Sequence, residues 1–383
     1  MSLGEFTWYI FLGGLPFAPL LERRLDLWHG QALWADLWIG ILFGLSIFTG
    51  QKKSTLGNKP LAAWLLLTWV WVLWTFTQGI IANKQYNLQL FMPMLHILSI
   101  GLFYMAAKVF WTRSFIERLL KILAVSGGIL VAYGLCQALN FDPIFKDLDT
   151  SVKTHEIVGL IGNPSHFSIY LAIILPIFWV FKNKASTIAQ AGIWSLLAII
   201  LVRNASVTGI LAAIAASLTW WMFKNKHVAV LIGVLTISVI GFLLIRQSHF
   251  HQILTDSGRF KAWETFSKLI GNSPMWGIGP GAISFISNGF KGAIAQWRHC
   301  HNEFLQITIE QGLAGLALVC WFIYDTYKRI VVIRQDVLTP ALAAICVAFL
   351  VSSMNMYPAH LWMLGAIGLF AICAINVLSE TEC

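Results

Sequence analysis

The stretch Trp297-Arg298-His299-Cys300-His301-Asn302-Glu303 runs directly into an apolar segment, Phe304 to Tyr324, interrupted by Gln306, Glu310 and Gln311. Histidine and glutamate at the mouth of a hydrocarbon-spanning segment are expensive, so they point to a functional site facing a wet cavity. The spacing carries further information. His301-Asn302 is followed by nine residues, Gly312, two more residues and Gly315.

Working outward, the composition places this stretch in a polytopic, all-α membrane protein. Of 383 residues, 58% are hydrophobic and only 11% charged, more apolar surface than a soluble chain of this length could hide. Mean hydropathy is +0.73. Eighteen Trp and eight Tyr suit the membrane–water interface. A net charge of +9 would suggest nucleic acid in a soluble protein, but cytoplasmic loops account for it here, and no nucleic-acid partner is expected. The six cysteines fall mostly in apolar spans, so a disulfide framework is not expected. No cleavable signal is read at the N-terminus: Glu5 precedes the first apolar run and no small-residue cleavage site follows.

About twelve spans are expected, on the rule that roughly 20 apolar residues cross the hydrocarbon core. The first, 6–21, is short and interrupted by Pro16 and Pro19. The others lie near 32–49, 61–81, 88–110, 119–139, 160–181, 187–202, 205–223, 228–245, 303–324, 340–357 and 359–378. The chain then divides into a membrane bundle over 1–245 (spans 1–9), a long loop over 246–302 with an amphipathic helix, and a second bundle over 303–383 (spans 10–12). Lys52, Lys53, Lys182, Lys184, Lys224, Lys226, Lys328 and Arg329 share one side if the N-terminus is inside, which puts the long loop on the outer face.

The chain carries no GxxxxGK[ST] motif, and Gly277-Ile278-Gly279-Pro280-Gly281 leads into no βαβ pattern, so no nucleotide cofactor is expected. An outer-face reaction must draw its energy from an activated substrate already in the membrane. Within the long loop, Arg259 opens a helix in which Trp263, Phe266 and Ile270 share a face, a pattern suited to lying in the interface near lipid phosphates. Arg259 reads equally as a snorkelling surface arginine. Pro274 to Gly281 reads as a rigid turn followed by flexible backbone. Arg203, between two spans, is either a charged residue marking a helix end or a guanidinium able to hold phosphate oxygens in bidentate fashion.

His301 is the best candidate base, since an imidazole suits proton abstraction from a hydroxyl near neutral pH. His299, Cys300 and His301, with His249 and His251, could be read as a metal site, but adjacent residues rarely point at one ion, and no metal is expected. Glu310, about 13 Å along the helix from His301 at 1.5 Å per residue, reads as a buried structural acid. Gly312 and Gly315 read as small residues on one face for close helix packing. Gly162-Asn163-Pro164-Ser165-His166 opens the sixth span, where freed backbone groups could line a cavity. His155 and His166 read most simply as polar interface residues.

The His301-Asn302, Gly312, Gly315 pattern resembles the signature of bacterial O-antigen ligases, whose superfamily also includes O-antigen polymerases and bacterial O-linked oligosaccharyltransferases. Gly162-Asn163-Pro164, Gly258-Arg259 with Trp263, and Pro274 through Gly281 agree with it, in the same order, over roughly 157–325. The resemblance implies a metal-independent glycosyltransferase of the bacterial inner membrane with its site facing the periplasm. The donor would be a glycan on undecaprenyl pyrophosphate. The acceptor would be lipid A–core in a ligase, another lipid-linked glycan in a polymerase, or a protein Ser or Thr in an oligosaccharyltransferase. By this resemblance His301 would deprotonate or orient the acceptor hydroxyl, and Arg259 would neutralise the leaving pyrophosphate. Asn302, Glu310, Gly312, Gly315 and Asn163 would support the site.

The sequence departs from the family where a second arginine usually opens the eighth span: Thr208 stands there, in Ser206-Val207-Thr208-Gly209. Arg203 is the nearest substitute, with Arg246 and Arg298 in reserve. Ligase ranks ahead of polymerase, with oligosaccharyltransferase third. A secondary transporter is the reading from another class, against which stand the missing internal repeat and the few ionisable residues at span centres.

Overall fold

The computed structural model describes residues 2–17, 33–48, 59–81, 91–142, 157–161, 163–181, 183–204, 206–227, 233, 259–279, 282–283, 300–354 and 362–382. Among them the elements are helical: α1 (Leu3–Gly14), α2 (Leu33–Phe48), α3 (Lys59–Ile81), α4 (Phe91–Phe110), α5 (Arg113–Ala138), α6 (Pro164–Val180), α7 (Lys184–Asn204), α8 (Val207–Lys224), α9 (Arg259–Ser267), α10 (Glu303–Val332), α11 (Thr339–Ser353) and α12 (Trp362–Glu382). Helices therefore occupy the expected stretches, except the one at 228–245, which lies almost wholly outside the described residues. Five of them are long and apolar enough to cross a membrane, within α5, α7, α8, α10 and α12. The chain is an integral membrane protein.

Local chemistry explains where several helices begin. Ser2 and Glu5 form a reciprocal capping box ahead of α1. Thr112 caps α5 through Phe115 N, so that helix starts six residues before the apolar run that predicted it, taking Arg113 and Arg118 into its first turns. Asn163 caps α6, with Pro164 at the first helical position, where its missing N–H is no loss. At the other end of α6, the carbonyl of Phe178 is taken up by Ser186 Oγ and, at 3.2 Å, by Gln190 Nε2 of α7.

The core links the two ends of the chain. Trp8 of α1 meets Phe103 and Trp111 edge-on, with ring centroids 5.0 Å apart in both pairs, and Trp111 in turn meets Phe370 of α12 at 5.2 Å. Polar ties gather where α1, α5 and α11 begin and α4, α10 and α12 end. Lys108–Glu380 (2.7 Å), Arg113–Asp336 (2.6 Å) and Arg118–Glu5 (3.1 Å) lie there. The opposite end holds the starts of α6, α8 and α10 and the end of α11. There α6 and α8 approach so closely that a Cβ on Gly209 would meet Ser168 Cβ at 2.4 Å, and Ser168 Oγ lies 3.0 Å from Ser206 Oγ.

The helix after His301 differs from its expected form. α10 breaks at Gly312, whose φ of 71° and ψ of −172° are not helical. In an unbroken helix Leu313 and Ala314 would donate to the carbonyls of Ile309 and Glu310. Instead Leu313 N donates to Pro274 O (2.9 Å) and Ala314 N to Met275 O (3.1 Å), while Ile278 N and Gly279 N donate to Ile309 O and Glu310 O, each at 2.9 Å. The segment Pro274–Gly279 is thus spliced into the helix ladder, restoring the bonds that the break removes. A Cβ at Gly312 would stand 2.2 Å from Met275 O, and one at Gly277 2.3 Å from the Glu310 carbonyl carbon. Both also have positive φ. Close packing of a second helix on Gly312 and Gly315 is therefore replaced by two other uses. Gly312 admits the loop, and Gly315 leaves room for the Gln311 side chain of its own helix, 2.4 Å from where a Cβ would be. Trp64 of α3 braces the same point, its Nε1 donating to Gln311 Oε1 at 2.8 Å. The break lies about 13 Å along α10 from its first residue. Irregular backbone at that depth is tolerated only when protein satisfies it.

Candidate active site

His301 stands just outside α10 with a φ of 52°. A left-handed conformation is uncommon in a residue with a side chain, and it needs neighbours that hold it. On one side, Asn302 caps α10 by accepting from Leu305 N at 2.9 Å, and its Nδ2 donates to Met354 O, where α11 has just ended, also at 2.9 Å. On the other side, Cys300 is gripped twice: Trp263 Nε1 donates to its carbonyl (2.7 Å), and its own amide donates to Gln306 Oε1 (3.4 Å). Gln306 Nε2 reaches Glu310 Oε1 (3.4 Å), which also accepts from Ile283 N (3.4 Å). Gln306 and Glu310 are both buried. A chain of polar contacts therefore runs from Glu310 through Gln306 to the residue before His301.

The helix bearing Arg259 belongs to this assembly. Ala262 and Phe266 are fully buried in a small core with Ile283, Cys300 and Ile309, flanked by Leu269, Ile270, Ile278 and Leu305. The expectation that the apolar face of α9 lies in the lipid interface is thus corrected: protein covers it. Likewise the flexible backbone expected after the Pro274 turn is, as far as Gly279, held in register by the α10 break. Burial and the carboxylates of Glu310 and Glu303 push the Cys300 thiol well above its usual range, so Cys300 is a poor nucleophile here.

Hydrogen bonds on Cys300 and Asn302 flank His301, Glu310 reaches that turn through Gln306, and Asn163 caps α6, its Oδ1 accepting from Ser165 N and His166 N. Arg203 lies exposed in the last turn of α7, and Thr208 is buried in the first turn of α8. Arg259 begins α9, but its side chain lies outside the described residues, as do Arg298, Arg246, His299, His249, His251 and His155. Reading the sequence missed Gln306 as part of the site. The signal was available: a glutamine interrupting an apolar run must find partners when buried.

Residues 190–320 match the family model described as O-antigen ligase. That segment, about a third of the chain, is similar to O-antigen ligases. No curated protein matches the chain. The matched segment takes in most of α7, all of α8 and α9, the Pro274–Gly279 splice, His301 and α10 through its break. Its boundaries leave out the Asn163 cap and His166 of α6 and Met354 after α11, so a residue outside the matched segment holds the turn at His301 through Asn302.

Proposed function

We propose that this chain is an O-antigen ligase that transfers a glycan from undecaprenyl pyrophosphate to a hydroxyl of lipid A–core. The reaction takes place at the periplasmic face of the bacterial inner membrane, with twelve spans and the 246–302 loop outside. The observation that carries the reading is His301, placed at the mouth of α10 inside the O-antigen ligase segment and locked in a left-handed turn by Cys300 and Asn302.

In the proposed reaction His301 takes the proton of the acceptor hydroxyl, whose oxygen bonds to the anomeric carbon. The bond from that carbon to the phosphate oxygen breaks, and the pyrophosphate leaves with the electron pair. A positioned base contributes roughly 10²–10⁴-fold to such a step. Arg259 neutralises the charge that develops on the leaving pyrophosphate, with Arg203 or Arg298 as its partner. No metal or other cofactor enters this scheme.

The test uses purified protein and an undecaprenyl-pyrophosphate-linked glycan, with and without lipid A–core. Glycan joined to lipid A–core, and lost in His301→Ala, is the expected result. Longer lipid-linked chains formed without core would make the protein a polymerase. Glycan on a protein Ser or Thr would make it an oligosaccharyltransferase, and no product in any arm would favour transport.

A further inference from the structure

The hydrogen bonds along α10 also fix how deep the preceding loop reaches. Trp263 donates to the carbonyl of Cys300, just outside α10, whereas Pro274 and Met275 accept from Leu313 and Ala314, beyond the break. Between those points Phe266 is buried with Ile309. Ile278 and Gly279 then bond back to Ile309 and Glu310, and Ile283 shares a core with Cys300. The chain therefore descends beside about the first three turns of α10 and turns back. Depth follows from α10 itself, which is long and apolar enough to cross a membrane. Trp321, Tyr324 and Tyr327 are exposed on it, with Lys328 over the Tyr324 ring, a grouping that suits the far interface. Glu303 and Tyr324 stand roughly 30 Å apart along the helix, one hydrocarbon thickness. The break lies about 13 Å in from the Glu303 end, within the leaflet on the His301 side.

At that depth the loop exposes large apolar side chains. Met275 and Trp276 are each 54% exposed, and Leu313, next to the break, is 47% exposed. The main chain there is met by protein: the carbonyls of Pro274 and Met275 and the N–H groups of Gly277, Ile278 and Gly279 are all bonded, and Pro274 has no N–H to offer. Non-helical backbone is tolerated at membrane depth under that condition. We propose that the chain from Trp263 to Gly279 is a re-entrant arm whose tip, Met275 and Trp276, is seated among the lipid hydrocarbon chains of the leaflet on the His301 side. The arm's charges lie above the tip, at Glu264 and Lys268, whose side chains are 72% and 71% exposed, and no charged residue follows from Leu269 to Gly279. The stem of Lys268 lets its ammonium reach back to the headgroups. The 246–302 loop thus dips into the membrane and returns to the side it came from. Because the arm hangs from the Trp263–Cys300 contact, its seated tip holds the turn at His301 at the hydrocarbon boundary.

The experiment places a spin label, carried on a ketone-bearing amino acid so that the native cysteines stay untouched, at Trp276 of the full chain. Leu313 and Glu264 serve as reference positions. Each protein is reconstituted in vesicles of phosphatidylethanolamine and phosphatidylglycerol. Oxygen concentrates in hydrocarbon and a water-soluble nickel chelate stays outside it, so the ratio of their effects on the label reports depth. The ratio at Trp276 is expected to match that at Leu313 and to exceed that at Glu264 several-fold. A ratio at Trp276 closer to that at Glu264 would place the tip in water and overturn the proposal. Thermal unfolding accompanies every labelled protein. If the label at Trp276 unfolds the chain, quenching of tryptophan emission by phosphatidylcholine brominated on its acyl chains is compared in wild type and Trp276→Phe. The quenched emission is expected to fall by the share of one tryptophan in the variant; equal quenched emission in both would overturn the proposal. No glycan donor or acceptor is present, so the outcome is independent of the reading of His301 as the base.

Discussion

The indole Nε1 of Trp263 donates a 2.7 Å hydrogen bond to the carbonyl of Cys300, the residue before His301. This one contact joins the helix begun by Arg259 to the turn that presents the imidazole, so the two proposed halves of the site share a mechanical link. Trp263→Phe keeps an aromatic ring and removes the donor. Rate is expected to fall more than stability: a lost hydrogen bond costs about 1 kcal/mol, whereas a small displacement of a base can cost on the order of 100-fold. Steady-state rates and unfolding temperature, measured on the same preparation, check this. Equal losses in both would show a purely structural contact.

Replacing His301 separates backbone from chemistry. Asparagine tolerates the left-handed region better than most residues, so His301→Asn is expected to fold normally and His301→Ala to fold with slightly lower stability. Both should lose roughly 10²-fold or more of transfer activity. Unchanged glycan product in either variant would remove His301 from the reaction.

Asn302 makes two separable contacts. Asn302→Asp keeps the oxygen that accepts from Leu305 N and loses the donor to Met354 O. Asn302→Ala loses both. The alanine variant is expected to lose about 1 kcal/mol from the missing cap, while the aspartate variant keeps that stability and shows the effect of the α11 tie alone. Unfolding curves for the pair in one detergent decide it.

At Gly312, alanine meets both a positive φ and the Met275 carbonyl oxygen 2.2 Å from its Cβ. Gly312→Ala is expected to be the most damaging single-methyl change in α10, by about 2–3 kcal/mol or more from strain alone. Expression level and unfolding temperature report it. A variant as stable as wild type would mean that the Pro274–Gly279 segment can leave the break freely.

For Arg259, transfer is expected to fall in Arg259→Ala and to recover little in Arg259→Lys, because an ammonium lacks the planar fork of guanidinium. Donor dependence of the rate is the measurement. A fully active lysine variant would reduce Arg259 to surface charge.

Much of this was legible in the sequence because two signals are strong in a membrane protein. Long apolar runs found the helices, and a histidine at the mouth of one pointed to the candidate site. What the sequence hid is of a different kind. Gly312 looks like an ordinary small residue on a helix face, since nothing in Gln311-Gly312-Leu313 announces that backbone some 35 residues earlier will occupy its hydrogen bonds. The apolar face of α9 has the same pattern whether it meets lipid or the Cys300–Ile309 core. Periodicity shows that a face is buried, not what buries it.

All four bonds of the α10 splice run from main chain to main chain. Pro274 fits there because only its carbonyl is used; the N–H it lacks is never asked for. Apart from the Trp64–Gln311 brace, side chains around the break can therefore change without altering the frame, provided Gly277, Gly279 and Gly312, all at positive φ, stay. Inserting or deleting one residue between Pro274 and Gly279 is another matter, for it puts every pair out of step at once. Variation in length should be barred from these six positions while variation in kind is allowed around them. That lets the surface around the break diverge on a backbone that does not.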